Sequence, residues 1–492
     1  MLLPILTILG LLTVSSFFSS CDKGFDELNT NKVDPTSLNP VFVLNKSVIE
    51  SNFTNTGNQQ SWLNYYYGIV QQIIIPFGSS AIGANFNQYY PQNNDIVWNW
   101  YFPNIVKQIV DAVDKTKDNQ QQLNLHNSAR IWKAYVFMVL TDSYGDIPYF
   151  DAGKGYLDKV TNPEYDSQEA IYKDILKELD EASAAFDPTL PIATGDILYG
   201  GNVAKWQSFG YSLMLRAAMR LTKVDPALAE SYVKKAFAGG LMQSNADNTV
   251  VKHTSLYINW MGEILNGREK ANFYLTEPFV NYLKSNNDPR LPVFTIRYVG
   301  AENGTQQTSA RVTSDPALQI GMPMGYNDNT IATTYAEKGV VSLWDYSQAN
   351  TSTVLTVTSP QYFVTYSQTQ LLLAEAIFRG WISGDASAVF ANGIRAHMEQ
   401  MAAYGSSAVI NEAAIQTYIQ DHPLDMADAL NQINTQYWVA SFLNGPELFS
   451  NFRRSGYPEL APNPYPGSEI PGGFIRRLQY PNSEYVVDFR KI

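Results

Sequence analysis

The chain has 492 residues, a formal net charge of −12 and 45% hydrophobic residues. That is enough apolar material for a large packed core. The acidic balance and the lack of any basic run exclude nucleic acid as a partner and argue against an anionic membrane surface. Aromatic content is high, with 31 Tyr, 24 Phe and 9 Trp. Most of these must pack the core, while the remainder suit partly wet sites where an apolar ring ends in a polar tip.

Residues 1–20 carry no Lys, Arg, Asp or Glu and close on Ser19-Ser20, the pattern of an apolar secretory leader ending in small residues. The single cysteine, Cys21, follows at once. A lone cysteine closes no intrachain disulfide. Its position points to a bacterial lipobox, with Cys21 acylated and holding the chain to a membrane without a spanning helix. Two other readings stand beside it: an ordinary cleaved leader with an incidental cysteine, and a spanning anchor, which needs about 20 apolar residues. The polar text after Cys21 reads as a tether. The expected organisation is a leader over 1–20, a lipidated tether over 21–40, and one compact unit over 41–492 with a loop-rich insertion at about 241–358.

Amphipathic helices dominate the unit. A helix is predicted over about Asn127–Leu140, with Trp132, Tyr135, Val136 and Val139 on one face. Its partner is expected to begin at Asp166, which with Glu169 resembles a capping box, and to run to about Phe186. From Asn202, a residue suited to an N-cap, apolar residues recur at Trp206, Phe209, Gly210, Leu213, Ala217 and Leu221, the spacing of one helical face. Asp225-Pro226 opens a second helix, which ends at Gly239-Gly240. A further pair is predicted over Ser359 to about Trp381 and Asp385 to about Tyr404. Between them, residues 241–358 hold one clear helical stretch at about Thr276–Lys284 and a strand candidate at Val293–Val299. Residues 456–473, rich in Pro and Gly, are expected to be irregular. The fold class is therefore mainly α: stacked helix hairpins in a tetratricopeptide-like array, with an irregular loop-rich region and a few short strands.

Six stretches together resemble the SusD/RagB family of outer-membrane nutrient-binding lipoproteins, in its second SusD-like branch. They are Cys21–Asn31, Asn127–Tyr135 with Leu140-Thr-Asp-Ser-Tyr-Gly-Asp-Ile-Pro-Tyr149, Ser359–Gly380, Asn444-Gly-Pro-Glu447, Phe452-Arg-Arg-Ser-Gly-Tyr-Pro458 and Arg476-Arg-Leu-Gln-Tyr-Pro481. They lie in order from residue 21 to residue 481. The resemblance implies a tetratricopeptide-like scaffold capped by an irregular region, and a place on the outer membrane facing the cell exterior. It further implies a SusC-like TonB-dependent barrel transporter as partner, an oligosaccharide or peptide as cargo, no cofactor and no catalysis.

Most of these motifs have a structural reading. Gly145 and Pro148 stop a helix and shape a turn, and Asp142 and Asp146 are placed to cap backbone donors; a catalytic dyad of the two is the other reading. Arg453 and Arg454 are expected to clamp Glu447, since guanidinium forks suit bidentate pairing. His126, His253, His397 and His422 are dispersed without metal-ligand spacing, and no nucleotide-binding or hydrolase signature is present. Ser231-Tyr-Val-Lys234 fits Ser-x-x-Lys but sits inside an amphipathic helix without companion motifs.

The candidate binding loop is Pro76–Asn94, which mixes Phe77, Phe86, Tyr89 and Tyr90 with the amides of Asn85, Asn87 and Asn93. Aromatic platforms beside neutral amides suit an uncharged polar ligand, and a self-packed surface loop is the plainer reading. Tyr257 with Trp260, and Tyr326 in a turn-rich segment, are the other candidates; the Tyr326 segment equally suits a contact with the transporter. Three functions are weighed: a non-catalytic binding lipoprotein that delivers glycan or peptide to a transporter, a surface hydrolase acting on glycans, and a helical-repeat adaptor with no small ligand.

Overall fold

The computed structural model describes residues 38–52, 59–78, 83–192 and 194–487. The expected leader, Cys21, most of the tether and residues 79–82 of the candidate loop lie outside them.

Helix formation follows the caps. Helix α1 covers Pro40–Glu50 and α2 covers Lys107–Thr116, and the two pack together. Helix α3, Leu123–Tyr144, runs several residues further at each end than the sequence pattern predicts. Its partner α4, Gln168–Ala184, lies antiparallel to it. The bonded pairs fix that direction: Asn127 Nδ2 donates to the Ala185 carbonyl at 3.1 Å, Arg130 reaches Glu178 at 2.9 Å, and the Tyr172 hydroxyl donates to Asp142 at 2.6 Å.

The cap of α4 is Ser167, not Asp166: the Ser167 hydroxyl accepts from the Ala170 N–H at 3.2 Å. Asp166 instead sits in a two-stranded ribbon, Ile147–Pro148 against Tyr165–Asp166, and its carboxylate takes the Tyr149 and Phe150 N–H groups.

Helix α5, Val203–Arg220, begins where Asn202 accepts from the Lys205 N–H at 3.0 Å. Its predicted face is buried at Trp206, Phe209, Leu213 and Ala217. Gly210 lets it lie close to its neighbours, since a Cβ there would meet Ser183 Oγ at 2.1 Å and Ile131 Cδ1 at 2.7 Å. Helix α6, Pro226–Gly239, is capped by Asp225 and stops at Gly240, whose φ of +103° disfavours a side chain. Helices α7 (Tyr366–Phe378) and α8 (Ala386–Gln400) form another packed pair, and α9 (Ala429–Ala440) rests on α7 and α10 (Gly445–Ser455).

The helix predicted from Ser359 starts later. Residues Gln361–Val364 form a strand paired antiparallel with Thr249–Val251, and Thr365 then caps α7 in a capping box with Gln368. The strand expected at 293–299 is Thr295–Tyr298, flanked by Val312–Thr313 and Gln348–Ala349; Leu291–Phe294 is a helical turn. Residues 456–473 are irregular, as expected. Stacked helix pairs with a loop-rich middle and short strands match the predicted fold class.

Beneath the helices lies a charged layer whose pairing differs from the expected one. Glu447 is held by Arg220 at 2.6 Å and Arg216 at 3.1 Å, and not by Arg453 or Arg454. Arg454 pairs instead with Glu375 at 2.7 Å, and Arg379 meets the same carboxylate at 2.8 Å. Spacing in the chain placed Arg453 and Arg454 near Glu447, but all three share α10. Glu447 and Arg454 lie two turns, about 10 Å, apart along it, so Arg454 reaches Glu375 of α7 while Glu447 reaches Arg216 and Arg220 of α5.

Candidate functional site

The loop from Gly83 to Asn94 is fastened at many points. The Ala84 N–H donates to the Asn64 carbonyl at 2.8 Å, and Asn85 Oδ1 accepts from the Ile75 N–H at 3.2 Å. A second segment, residues 463–479, closes over it. Asn463 Nδ2 donates to the Asn85 carbonyl at 2.7 Å, the Glu469 N–H to the Asn87 carbonyl at 3.0 Å, and Asn87 Nδ2 to the Gly473 carbonyl at 3.3 Å. Asn94 and Gln479 bond reciprocally, with Asn94 Nδ2 on the Gln479 carbonyl at 2.7 Å and the Gln479 N–H on Asn94 Oδ1 at 3.1 Å.

This fastening sorts the predicted site residues. Asn85, Phe86, Asn87 and Asn93 are buried, and Phe86 lies against Tyr465 with ring centroids 4.6 Å apart. Phe77, Tyr89 and Tyr90 stay half-exposed. The Tyr90 N–H donates to the Tyr65 hydroxyl at 2.7 Å, and the Tyr89 N–H to Glu469 at 3.1 Å, so the backbone is held while both rings stand at the surface. Burial and the Asp95 carboxylate beside it push the Tyr89 phenol up to about 12, so it stays neutral. The Tyr326 segment adjoins this cluster: the Asp328 N–H donates to the Pro76 carbonyl at 2.9 Å, and Gly325, at φ +87°, lies so close to Pro464 that a Cβ would meet its ring at 2.5 Å. Phe77 and Tyr326 also pack on one small core of Ile74, Tyr274, Met322 and Met324.

Sequence reasoning missed Tyr465 and Tyr65, because their link to the loop depends on the chain returning hundreds of residues later, or on a hydroxyl inside a helix.

Tyr257 and Trp260 have a different neighbourhood. Tyr257 stacks on His253 at 5.1 Å. Asn52 Nδ2 donates to His253 Nε2 at 2.7 Å, which assigns the ring proton to Nδ1, donating to the Ser359 carbonyl at 2.7 Å. Burial lowers the His253 pKa and favours that neutral ring. Trp260 opens the helix Trp260–Asn266, capped by Asn259, and stays half-exposed; Leu256, four residues earlier in the chain, is 98% exposed.

The carboxylates singled out in the sequence have partners. Asp142 accepts from Tyr172 at 2.6 Å and from Arg220 Nε at 3.2 Å, and Asp146 accepts the Gln168 N–H at 2.8 Å. Lys234 of the Ser-x-x-Lys match pairs with Glu230 at 2.5 Å on the surface of α6. Among the described residues no cluster of His, Cys, Asp and Glu is arranged to hold a metal ion, and no helix is long and apolar enough to cross a membrane.

The family SusD-like_2, described as starch-binding and associating with the outer membrane, matches residues 32–481. Among solved structures, a chitin-binding protein is 29% identical with a TM-score of 0.81, over 92% of this chain and 95% of its own. A SusD-like protein of Bacteroidetes AC2a is 27% identical with a TM-score of 0.80, over the same shares. A SusD homologue of Bacteroides fragilis NCTC 9343 is 23% identical, has a TM-score of 0.73 over 92% and 95%, and shares the fold. No curated protein matches the chain.

Proposed function

Because the chain belongs to the SusD-like_2 family, described as starch-binding and associating with the outer membrane, we propose that it is a non-catalytic, cell-surface glycan-binding lipoprotein. In this reading Cys21 carries the lipid, the body lies outside the outer membrane, and bound oligosaccharide passes to a SusC-like TonB-dependent transporter. The observation that carries it is the family match over residues 32–481, together with the starch and chitin named for that family and for one similar structure.

The ligand surface we assign is the half-exposed set Phe77, Tyr89, Tyr90 and Tyr326. Rings at a surface stack on sugar faces, and neutral phenols hydrogen-bond hydroxyls without the desolvation cost of a charge. Asn85, Phe86, Asn87 and Asn94 hold the loop in shape beneath those rings. Tyr257 and Trp260 form a second candidate platform.

The test uses the soluble chain lacking residues 1–21. Calorimetry with malto-oligosaccharides, chito-oligosaccharides and a peptide pool is expected to give saturable glycan binding, with no product formed on long incubation. Tyr89→Ala and Tyr90→Ala should each weaken it by about 1–3 kcal/mol, by analogy with base stacking on aromatic side chains. Turnover would make the protein a hydrolase, binding of peptide alone would change the cargo, and silence in every pool would leave an adaptor. Affinity unchanged in both tyrosine variants would move the site to Tyr257 and Trp260.

A further inference from the structure

Away from these loops, the end of α3, the start of α4, the α5–α6 turn and α10 enclose a cleft of ≈ 580 Å³. Asp142, Tyr172, Arg220, Arg453, Arg454 and Arg476 line it, with Leu221, Val224 and Leu228 as an apolar strip. Lys173, paired with Glu169, and Asp225, which caps α6, also face it, so five cationic side chains meet three carboxylates. Asp142 is already engaged by Tyr172 and by Arg220, and Arg454 is neutralised by Glu375 at 2.7 Å.

Arg453 is not matched in this way. The carboxylate it approaches, Asp142, is 4.0 Å away, and its Nη1 donates to the Arg476 carbonyl. Its Nε is buried with no acceptor among the described residues, and so is Nη1 of Arg220, whose side chain is 6% exposed. Arg476 is exposed and makes no ion pair among the described residues. Lys223 beside them, with Nζ on the Ser455 carbonyl at 3.1 Å, has its ammonium pushed down by burial and by the charges of Arg454, Arg379 and Arg476. Arg220 is matched by Asp142 and Glu447, but a guanidinium largely kept from water without a close anion is costly, so Arg453, beside the exposed Arg476, favours a ligand that supplies the missing charge.

We propose that this cleft is a binding site for an acidic saccharide unit, whose carboxylate or sulfate is taken by Arg453 and Arg476. Guanidinium forks match the paired oxygens of such groups. The cleft is of small-ligand size, within the usual range of roughly 300–1,000 Å³, and its apolar strip offers a surface to a sugar ring. The site is additional to the neutral aromatic surface and does not depend on it.

The experiment measures the melting temperature of the soluble chain in sodium sulfate against sodium chloride of equal ionic strength, and titrates it by calorimetry with a galacturonic acid trimer and a galactose trimer. Sulfate should stabilise the native chain beyond chloride by more than it stabilises either arginine variant, since its general exclusion from protein surface acts on all three alike, and the acidic trimer should bind where the neutral one does not. Arg453→Gln and Arg476→Gln should each weaken that binding about tenfold, the loss of roughly one charge-assisted hydrogen bond, and leave neutral-glycan affinity unchanged. Arg453 packs on Phe449 at 4.5 Å; if its variant does not fold, Arg476→Gln carries the test alone, because that side chain is exposed. No response to either anion, or binding unaltered in the arginine variants, overturns the proposal. A sulfate response lost in the arginine variants, without acidic-trimer binding, assigns the cleft to a free anion and overturns its saccharide part; a sulfate response the variants keep, without acidic-trimer binding, is the general salt effect and overturns the whole proposal.

Discussion

The helical scaffold and the loop cluster both bury many polar groups, but by different means. In the scaffold they include buried charges beside amides such as Asn127 and Asn434. Glu375 is fully buried between Arg454 and Arg379, and Glu447 between Arg216 and Arg220, so each carboxylate ties two or more helices together. In the loop cluster the buried groups are amides. Asn85, Asn87, Asn94 and Asn463 stand in for the backbone partners that irregular chain cannot find in a helix or sheet. A missing charge partner harms every helix around it, whereas a missing amide loosens one crossing of two loops.

The largest effect tests the first half of that contrast. Glu375→Ala leaves the buried Arg454 guanidinium and the partly exposed Arg379 without their anion and should cost about 3–5 kcal/mol in urea unfolding. The same pair gives an acid limb. Arg454 and Arg379 overcome the desolvation of Glu375 and hold its carboxyl at about 2 instead of 4.5. A depressed carboxylate stabilises the fold above the unfolded value. Stability should therefore be flat above about pH 4.5 and fall as pH drops from there toward about 2. A midpoint of unfolding that does not change across that window in the native chain, or that changes equally in Glu375→Ala, would count against the assignment.

Next in size is Gly210→Ala, where the added methyl meets Ser183 and Ile131 between helices. Overpacking there should cost about 1–3 kcal/mol, read as a lower melting temperature with no change in helix content. Asn463→Ala should cost about 1–2 kcal/mol, since it leaves the Asn85 carbonyl without its donor. Hydrogen exchange should rise over residues 83–94 and not in α3–α6; a uniform rise would erase the distinction between the two regions. The smallest effect is Asn202→Ala, the loss of one N-cap, at about 1 kcal/mol, confined to the first turn of α5.

Caps explain why the scaffold was readable. Asn202, Asp225 and Asp385 act within three residues of themselves, so their roles are visible in local text. The errors fall where the partner is distant. Residues Gln361–Val364 read as the start of a helix because their strand partner, Thr249–Val251, lies across the loop-rich middle. Asp166 had the right composition for a cap, but the ribbon with Ile147–Pro148 drew its carboxylate to Tyr149 and Phe150. The candidate loop showed its aromatic and amide character in sequence. Which of its rings would be covered did not show, because residues 463–479 do the covering.

Those late residues also fix an order of assembly. They clasp the 83–94 loop through Asn463, Glu469 and Gln479, and they reach α3 through the Leu478 N–H, which donates to the Ser143 carbonyl at 2.7 Å. A chain made from its N-terminus can zip its neighbouring helices early, since their contacts are local. The aromatic surface beside Tyr89 and Tyr90 cannot take its final shape until nearly the whole chain has been delivered. The shape of that surface is thus timed to the completion of the protein, and a copy lacking residues 463–479 would hold its helices but not this surface.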